Sequence, residues 1–444
     1  MAEILVRTDR VIQPQFAGVG YHVSFHQHHS TPGHEALLWE RWRELDPSFA
    51  RVGQLLRDGQ EGLHALGDLL VRMKETGTEA YLVTWDPEDL EPGPGMNAYA
   101  RRIVDQLEHL VRERGATNLR YYCMTNELSM GKWAGMVGDL PRFRAYHQAI
   151  WDELRARKLD VELLATDASP VEYWPTIEWA AENMDEITGI YGGHHYFNEH
   201  GPRDSSFYPW FLEKLRWAVS VATRRGKRLI LGEFGCAQDG RVIDGCKMDV
   251  CVHFGTDNEP LVGIQLAEAV IASLNVGVCA LAYWTFTDYP NKVSSGYVNR
   301  WGTFEWEGEC RTRAHYYAYG LLSKFFRGPA RAFSVESSDP LVRAAAVQHD
   351  GPGTWSVAVV NRGDSEEPLS VRLGDGDDRV LFRKYVYDPR DVPWKLEGHL
   401  QAPIAEVGMM NGRLCDSASP GTLTVYTTAG CRRWRQLVEL RSTE

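Results

Sequence analysis

The chain has 444 residues, of which 43% are hydrophobic and 24% are charged. That length exceeds one ordinary domain and suits a large barrel with a smaller module. The composition is typical of a globular protein with a sizeable core. The formal net charge of −12 argues against the basic stripe that neutralises phosphates, so we expect no nucleic-acid partner.

The N-terminal segment MAEILVRTDR contains no basic region followed by an apolar core, so no secretory signal is predicted. No apolar run reaches the roughly 18 to 20 residues that a membrane helix needs, and we expect no membrane partner. The eight cysteines lie at scattered positions, which is not the pattern of a disulfide framework. Together these features favour a cytoplasmic protein.

Short apolar segments alternate with longer amphipathic segments between residues 16 and 328, as in parallel βα architectures. Strands are predicted at 16–24, 49–55, 78–85, 119–125, 161–166, 187–196, 228–234 and 278–286. Helical spacing of apolar residues is clearest at 62–75, 98–114, 141–157, 211–225, 260–274 and 314–326. Eight strand–helix units predict a (β/α)₈ TIM barrel. A doubly wound sheet is the alternative, but no glycine-rich dinucleotide fingerprint follows the first strand.

The pattern changes after Arg327-Gly328-Pro329, where short alternating segments are separated by turn signals. This predicts an antiparallel β-sandwich. Segment 3–11 is also strand-like and precedes the barrel. The predicted fold is therefore α/β, a TIM barrel (15–328) with a C-terminal antiparallel β-sandwich domain (1–14 plus 329–444).

Two glutamates follow predicted strands, Glu127 after strand four and Glu233 at the end of strand seven. The catalytic groups of TIM barrels lie at the carboxyl ends of strands. Two such carboxyl groups can hydrolyse a glycoside: one protonates the leaving oxygen, and the other attacks the anomeric carbon if they lie about 5–5.5 Å apart. A single strand-end glutamate is more often a solvated rim charge, but a pair on apolar strands favours function.

Asn126-Glu127 after strand four and Gly232-Glu233-Phe234-Gly235 after strand seven resemble the two signatures of glycoside hydrolase clan A, whose members are retaining enzymes on (β/α)₈ barrels. The resemblance spans all eight strands. The barrel-plus-sandwich layout is similar to families 39, 30 and 51, with family 39 the nearest. The resemblance implies that Glu127 is the acid/base and Glu233 the nucleophile. Leu128 departs from the proline that several members carry after the Asn-Glu pair.

The supporting positions that match the clan pattern are Asn126, Arg51, His194, Tyr196 and Trp284. The resemblance implies that Arg51 and the Tyr196 hydroxyl contact the nucleophile, and an adjacent guanidinium would hold that carboxylate ionised. It further implies that Trp284 floors the sugar subsite and that Asn126 binds the sugar 2-hydroxyl. A rim ion pair for Arg51 and a barrel-core role for Trp284 are the alternatives.

Several histidines follow strand one, at positions 22, 26, 28 and 29. Their spacing matches no known metal site, so we expect His22 to hydrogen-bond a sugar and predict no metal. His195 is interpreted as a packed histidine and not as a ligand.

The two longest loops follow strands seven and eight. The segment 236–260 contains Cys246, Cys251 and His253, and a substrate-gating lid is preferred there over a zinc site, since one Cys-x₄-Cys is a weak signal. The loop after strand eight carries Trp301 and Trp306, which either line the leaving-group side of the cleft or pack the loop.

We therefore predict a retaining glycoside hydrolase that cleaves a β-type (equatorial) bond by double displacement, exo-acting or on short oligosaccharides, without a cofactor. A non-catalytic carbohydrate-binding barrel is one alternative. A barrel isomerase or lyase is another, but it requires a glycine-rich phosphate loop after strands seven and eight, which neither Gly232-Glu-Phe-Gly nor Tyr283-Trp-Thr-Phe supplies. The sequence does not predict the sugar, the linkage or the oligomeric state.

Overall fold

The structure, a computed structural model, describes residues 1–23, 34–53, 59–84, 90–129, 131–243, 246–291, 297–305, 308–349, 353–374 and 380–429. The α-helices of these segments are α1 (His34–Leu45), α2 (Gly59–Glu75), α3 (Pro94–Glu108), α4 (Leu140–Arg157), α5 (Pro175–Asn183), α6 (Phe207–Arg224), α7 (Glu259–Val276) and α8 (Ala314–Phe325). The strands up to α8 are β1 (Ala2–Val23), β2 (Phe49–Gly53), β3 (Glu79–Val83), β4 (Leu119–Cys123), β5 (Glu162–Ala168), β6 (Ile190–Tyr196), β7 (Leu229–Gly235), β8 (Gln238–Ile243), β9 (Cys246–Cys251), β10 (Ala280–Tyr283), β11 (Tyr289–Asn291) and β12 (Tyr297–Arg300). The strands after α8 are β13 (Arg327–Ser337), β14 (Val342–His349), β15 (Trp355–Asn361), β16 (Glu367–Leu373), β17 (Val380–Tyr387), β18 (Ala405–Met410), β19 (Arg413–Ala418) and β20 (Leu423–Thr427).

Eight parallel strands close into a barrel in the order β1-β2-β3-β4-β5-β6-β7-β10. Closure comes from the pairing of Gly18 to Tyr21 of β1 with Ala280 to Tyr283 of β10. Side chains that point inward fill the barrel below its mouth, so it is a packed core: Phe49, Tyr81, Val83, Tyr121, Cys123, Leu164, Ile190 and Ile230 are among them. The predicted (β/α)₈ barrel is present.

The helices pack their apolar faces on the outside of this barrel. In α2 the residues at three- and four-residue spacing are the buried ones: Leu63, Leu66, Leu69, Leu70 and Met73. We predicted neither α1 nor α5. The nine-residue α5 buries one large apolar side chain, Ile177, together with small residues. Its sequence therefore carries little helical periodicity of apolar residues. The sixth strand begins at Ile190 and not at 187, because Asp185–Ile187 forms a 3₁₀ turn.

The N-terminal half of β1 leaves the barrel and joins a second β-rich unit. It pairs antiparallel with β13 and parallel with β16, and mostly antiparallel pairs connect β13 to β16 through β14, β15, β20, β17, β18 and β19. This unit has its own apolar core, which includes Ile4, Val6, Val357, Val371 and Phe382. Because β1 is continuous through residues 14 and 15, the two units share one strand. The two-sheet sandwich and the domain bounds stay predictions.

The loops that follow β7 and β10 form a separate four-stranded sheet in the order β11-β12-β9-β8. Its strands β8 and β9 come from the 236–260 segment, and β11 and β12 come from the loop after β10. We predicted none of these four strands. The side chain of Cys246 lies outside the described residues, and so the zinc alternative stays open.

Within the described segments, α7 is the one helix long and apolar enough to cross a membrane, with a mean hydropathy of 1.2. Yet 72% of that stretch is buried inside the protein, where α7 packs against α6, α8 and β14. Burial in the core accounts for its composition.

One buried ion cluster joins the barrel to the second unit. Glu268 of α7 is fully buried and pairs with Arg343 of β14 and, at 3.2 Å, with Arg362 just after β15. Burial lowers the pKa of Arg343 to about 10, as expected for a guanidinium that has lost its water. The carboxylate therefore compensates two cations that are largely shielded from solvent.

We expect Glu268→Ala to lower the free energy of unfolding by about 3–5 kcal/mol, because it leaves two buried arginines without their anion. Urea denaturation measures the change. Glu213→Ala, on the exposed face of α6, is the control and should stay within about 0.5 kcal/mol of the parent protein. A loss below about 1 kcal/mol for Glu268→Ala would contradict this account.

Candidate active site

In-register pairing of parallel strands brings the polar side chains of the barrel mouth together. His22 of β1 pairs with Arg51 of β2, and Arg51 pairs with Tyr81 of β3. On the other side of the barrel, His194 of β6 pairs with Glu233 of β7. Residues in register on neighbouring strands point to the same face of the sheet. Each row therefore presents its side chains to one level of the barrel interior.

Arg51 is fully buried in the middle of this group. Its Nη1 lies 2.8 Å from Oε2 of Glu233 and 3.0 Å from Nδ1 of His22, while Nη2 donates to Oδ1 of Asn126. His22 accepts through Nδ1, because a guanidinium only donates. Burial opposes the charge of Arg51, but Glu233, Tyr81 and Asp167 outweigh this effect and raise the pKa of Arg51.

Glu233 lies near the end of β7 and is 4% exposed. Its Oε1 accepts a hydrogen bond from the Tyr196 hydroxyl, and its Oε2 faces Arg51. Burial raises the pKa of the Glu233 carboxyl, although Arg51, His194 and Tyr196 act in the opposite direction. The structure thus brings both predicted partners, Arg51 and Tyr196, to this glutamate.

Glu127 follows β4 and faces Glu233 across the mouth. Its side chain is 13% exposed, and Oε1 lies 3.4 Å from Nδ1 of His194. Carboxylate oxygens of Glu127 and Glu233 lie within 4.8 Å of each other. Glu127 has a φ of 54°, a left-handed conformation that costs a residue with a Cβ about 1–2 kcal/mol. Surrounding contacts hold this conformation, among them the hydrogen bond from Thr125 to the carbonyl of Thr166.

Asp167, near the end of β5, is a site residue that we did not predict. It is fully buried, and its Oδ1 lies 2.7 Å from Nε2 of His194. Its Oδ2 accepts from the Tyr81 hydroxyl and lies 3.7 Å from Nη2 of Arg51. Burial alone would raise the pKa of Asp167, but His194, Arg51 and Tyr81 together hold it below its ordinary value. A survey of polar residues at every strand end would have found it.

His194 lies between three carboxylates. Nε2 faces Asp167, and Nδ1 faces Glu127 at 3.4 Å and Glu233 at 3.7 Å. Burial opposes a charge on the ring, but Asp167 and then Glu233 outweigh it and raise the pKa of His194 to about 9. The ring is therefore a cation at neutral pH. Its backbone is held by Trp174, whose Nε1 donates to the carbonyl of His194.

Two tryptophans pack against residues of the site. Trp284, just after β10, lies with its ring 4.1 Å from that of His22 and under the Arg51 guanidinium at 5.8 Å. Trp301 packs edge-on against Tyr196 at 4.5 Å and is 1% exposed. The Trp301 side chain is thus in contact with the residue that donates to Glu233. Trp306 lies outside the described residues.

His195 points to the other face of β6, where it packs between Trp210 and Phe211. It belongs to the layer between the barrel and α6 and takes no part in the mouth. His26, His28 and His29 lie outside the described residues.

Glu127, His194 and Glu233 also form, within the described part of the chain, the one group with atoms close enough to hold a metal ion. A metal ion needs an unprotonated ring nitrogen. Both nitrogens of His194 face carboxylates, which favours a proton on each. This donor set fits an imidazolium between carboxylates better than a metal ligand.

No protein-family model and no curated protein sequence matches the chain. Solved structures do. A glycoside hydrolase family 30 subfamily 8 xylanase from Clostridium acetobutylicum aligns over 96% of this chain and 99% of its own, with 13% identity and a TM-score of 0.66. A family 51 α-L-arabinofuranosidase from Thermotoga petrophila aligns over 96% and 100%, with 13% identity and a TM-score of 0.68. The catalytic domain of a family 30 xylanase C from Talaromyces cellulolyticus aligns over 96% and 99%, with 12% identity and a TM-score of 0.65.

The chain shares their fold. Families 30 and 51 are members of glycoside hydrolase clan A, so the predicted resemblance to that clan is confirmed for the fold. The alignments span both the barrel and the second unit, since they cover 96% of the chain. The nearness to family 39 stays a prediction.

Gly232, directly before Glu233, leaves room for the buried network. A Cβ at this position would lie 2.9 Å from Oδ1 of Asp167, 3.1 Å from Nε2 of His194 and 3.1 Å from the Tyr81 ring. We expect Gly232→Ala to destabilise the protein by about 1–3 kcal/mol, because these packed groups must move. Thermal unfolding measures the loss.

Gly201→Ala is the matched control, since nothing lies within 4 Å of a Cβ built there. It should leave the free energy of unfolding within about 0.5 kcal/mol of the parent value. Equal effects of the two substitutions would show that Gly232 does not make room for Asp167 and His194.

Proposed function

We propose that the chain is a retaining glycoside hydrolase that acts by double displacement. The observation that carries the proposal is the approach of the Glu127 and Glu233 carboxylate oxygens to within 4.8 Å. An approach of single oxygens this close favours the retaining arrangement, in which the two carboxyl groups lie about 5–5.5 Å apart, over the inverting arrangement, which needs about 6.5–9.5 Å for an intervening water.

The surroundings of the two glutamates support different roles. Glu233 is the buried one and receives Arg51 and the Tyr196 hydroxyl, which orient an ionised nucleophile. Glu127 is the more exposed one and faces the mouth. It protonates the leaving oxygen in the first step and removes a proton from water in the second.

The remaining predicted residues are proposed to form the sugar subsite. Trp284 offers a ring face beside His22, and aromatic faces pack well on the C–H faces of sugars. Asn126 is held by Arg51 where its amide can reach the 2-hydroxyl next to the scissile bond. We further propose an equatorial bond and action on chain ends or short oligosaccharides. The sheet formed by β8, β9, β11 and β12 beside β7 and β10 supports a closed pocket.

Hydrolysis of 4-nitrophenyl glycosides tests the reaction itself. We expect release of 4-nitrophenol from at least one member of a panel that includes xyloside, glucoside, galactoside and arabinofuranoside. Structures that share the fold include xylanases and arabinofuranosidases, so pentosides are the first choice. A barrel that only binds carbohydrate would bind the sugars without any turnover.

Substitution of each glutamate tests the roles. Glu233→Ala and Glu127→Ala should each lower kcat by at least about 10³-fold while the melting temperature changes little. Azide should restore turnover of Glu233→Ala and give a glycosyl azide of inverted configuration, because the small anion enters the space of the nucleophile. Glu172→Ala, an exposed glutamate in the segment after β5, is the control. Near-parent turnover in either catalytic variant would refute the assignment.

Chelation tests the alternative in which Glu127, His194 and Glu233 hold a metal ion. We expect dialysis against EDTA to leave kcat unchanged, because the proposed steps use only carboxyl groups and water. Loss of activity that zinc or another divalent cation restores would favour the metal site instead.

A further inference from the structure

Two residues of the buried network have no place in a two-glutamate mechanism. Asp167 and His194 are both fully buried in the barrel mouth, and neither is needed to donate or accept the protons of the reaction. A buried ion pair is costly to maintain unless its geometry is well satisfied. Their position beside both glutamates therefore calls for an explanation in terms of the site.

The distances place His194 almost equally far from the two glutamates. Its Nδ1 lies 3.4 Å from Oε1 of Glu127 and 3.7 Å from Oε2 of Glu233. Its other nitrogen, Nε2, lies 2.7 Å from Oδ1 of Asp167. Nε2 thus faces the Asp167 carboxylate, and Nδ1 faces the two glutamates that would react.

Asp167 is itself held in place from two sides. The Tyr81 hydroxyl donates to Oδ2, and Arg51 lies 3.7 Å from the same oxygen. Its φ of 58° shows that the chain accepts a disfavoured backbone conformation at this position. The charged and titratable groups around His194 are therefore Asp167 from β5, Glu127 from β4, Glu233 from β7 and, behind these, Arg51 and Tyr81.

The proposed reaction moves one negative charge within this group. Before attack, Glu233 is a carboxylate and Glu127 is protonated. In the first step the Glu233 oxygen bonds to the anomeric carbon, the glycosidic C–O bond breaks, and the Glu127 proton passes to the leaving oxygen. Glu127 is then the carboxylate and Glu233 an ester. Water then attacks the anomeric carbon and gives a proton to Glu127, while the bond from that carbon to the Glu233 oxygen breaks and leaves Glu233 a carboxylate again.

We propose, building on the proposed function, that Asp167 is a positioning residue that keeps His194 cationic between Glu127 and Glu233. One fixed positive charge then faces the negative charge wherever it resides during the cycle. In a site of low dielectric such preorganised charge stabilises the transition state more than water would. Asp167 acts through His194 and does not touch the substrate.

The titration of His194 follows from the same contacts. The ordinary pKa of histidine is about 6.5, and in the folded protein that of His194 is about 9. Because folding raises this pKa, the ion pair contributes its full stability below about pH 6.5 and loses it as the pH rises through about 9. Asp167 makes the largest contribution that raises the pKa of His194, so its loss would leave the opposing effect of burial less compensated.

Asp167→Asn is the test. Proton NMR of protein with ¹³C-labelled histidine follows the titration of the His194 ring signal. That signal is assigned as the one that is absent from the spectrum of His194→Gln. We expect a midpoint near pH 9 in the parent protein and below pH 7 in Asp167→Asn. We also expect kcat to fall by about 10- to 100-fold with little change in KM. Both limbs of the pH dependence of kcat/KM should move to higher pH, because a lost cation favours the protonated glutamates.

Tyr81→Phe is the matched control, because it removes a hydrogen bond to Asp167 and leaves every charge in place. Its His194 midpoint should stay above pH 7. His194→Gln removes the cation with Asp167 present, and the double variant with Asp167→Asn should lose no more activity than His194→Gln alone.

An unchanged His194 midpoint in Asp167→Asn would overturn the proposal. So would a lower kcat with both limbs of the pH profile unmoved, since that result indicates a purely structural role. Absence of any glycosidase activity in the parent protein would refute the proposed function. The NMR midpoint would still report whether Asp167 keeps His194 charged.

Discussion

A guanidinium buried without solvent at the centre of the barrel mouth is the constraint on which the site depends. Arg51 cannot lose its proton in a protein, so the fold must supply anions around it. Glu233 and Asp167 provide them, while His22 and Asn126 accept further hydrogen bonds from it. The five residues come from five different strands or strand ends. A change in the register of any of these strands would leave a buried charge uncompensated, at a cost of several kcal/mol.

Strand β1 provides the frame in which that register is kept. Its C-terminal half closes the barrel between β2 and β10, and its N-terminal half lies between β13 and β16 of the second unit. His22 therefore sits near the end of a strand that is paired on both sides at each of its two ends. The second unit helps to fix the barrel mouth through this shared strand and through the Glu268 cluster, although it contributes none of the described site residues.

The sequence predicts the position of those candidate residues whose place follows from their own strand, and their catalytic roles stay predictions. Glu127 and Glu233 come directly after apolar segments, and the order of the strands then places them at one end of a barrel. Asp167 directly follows the predicted fifth strand, so its position could be found from the sequence, but its contact with His194 at 2.7 Å depends on the packing of β5 against β6. The pairing of β9 with β12 was missed because β12 lies far along the chain, in another loop, although Asp244-Gly245 between β8 and β9 is a hairpin signal in the sequence itself. The local pattern of residues predicts the secondary structure of a segment, whereas these contacts depend on which segments pack together in the fold.

Charge balance links the network to the kind of reaction it can support. With Glu127 protonated, the buried group holds two cations, Arg51 and His194, and two anions, Asp167 and Glu233. When the proposed nucleophile becomes an ester and Glu127 loses its proton, the buried group again holds two cations and two anions. A poorly solvated site strongly resists the creation of net charge, because the Coulomb energy is not screened by water. It resists the transfer of charge between neighbours far less. A network with this balance therefore favours reactions in which one carboxyl group gains charge as the other loses it.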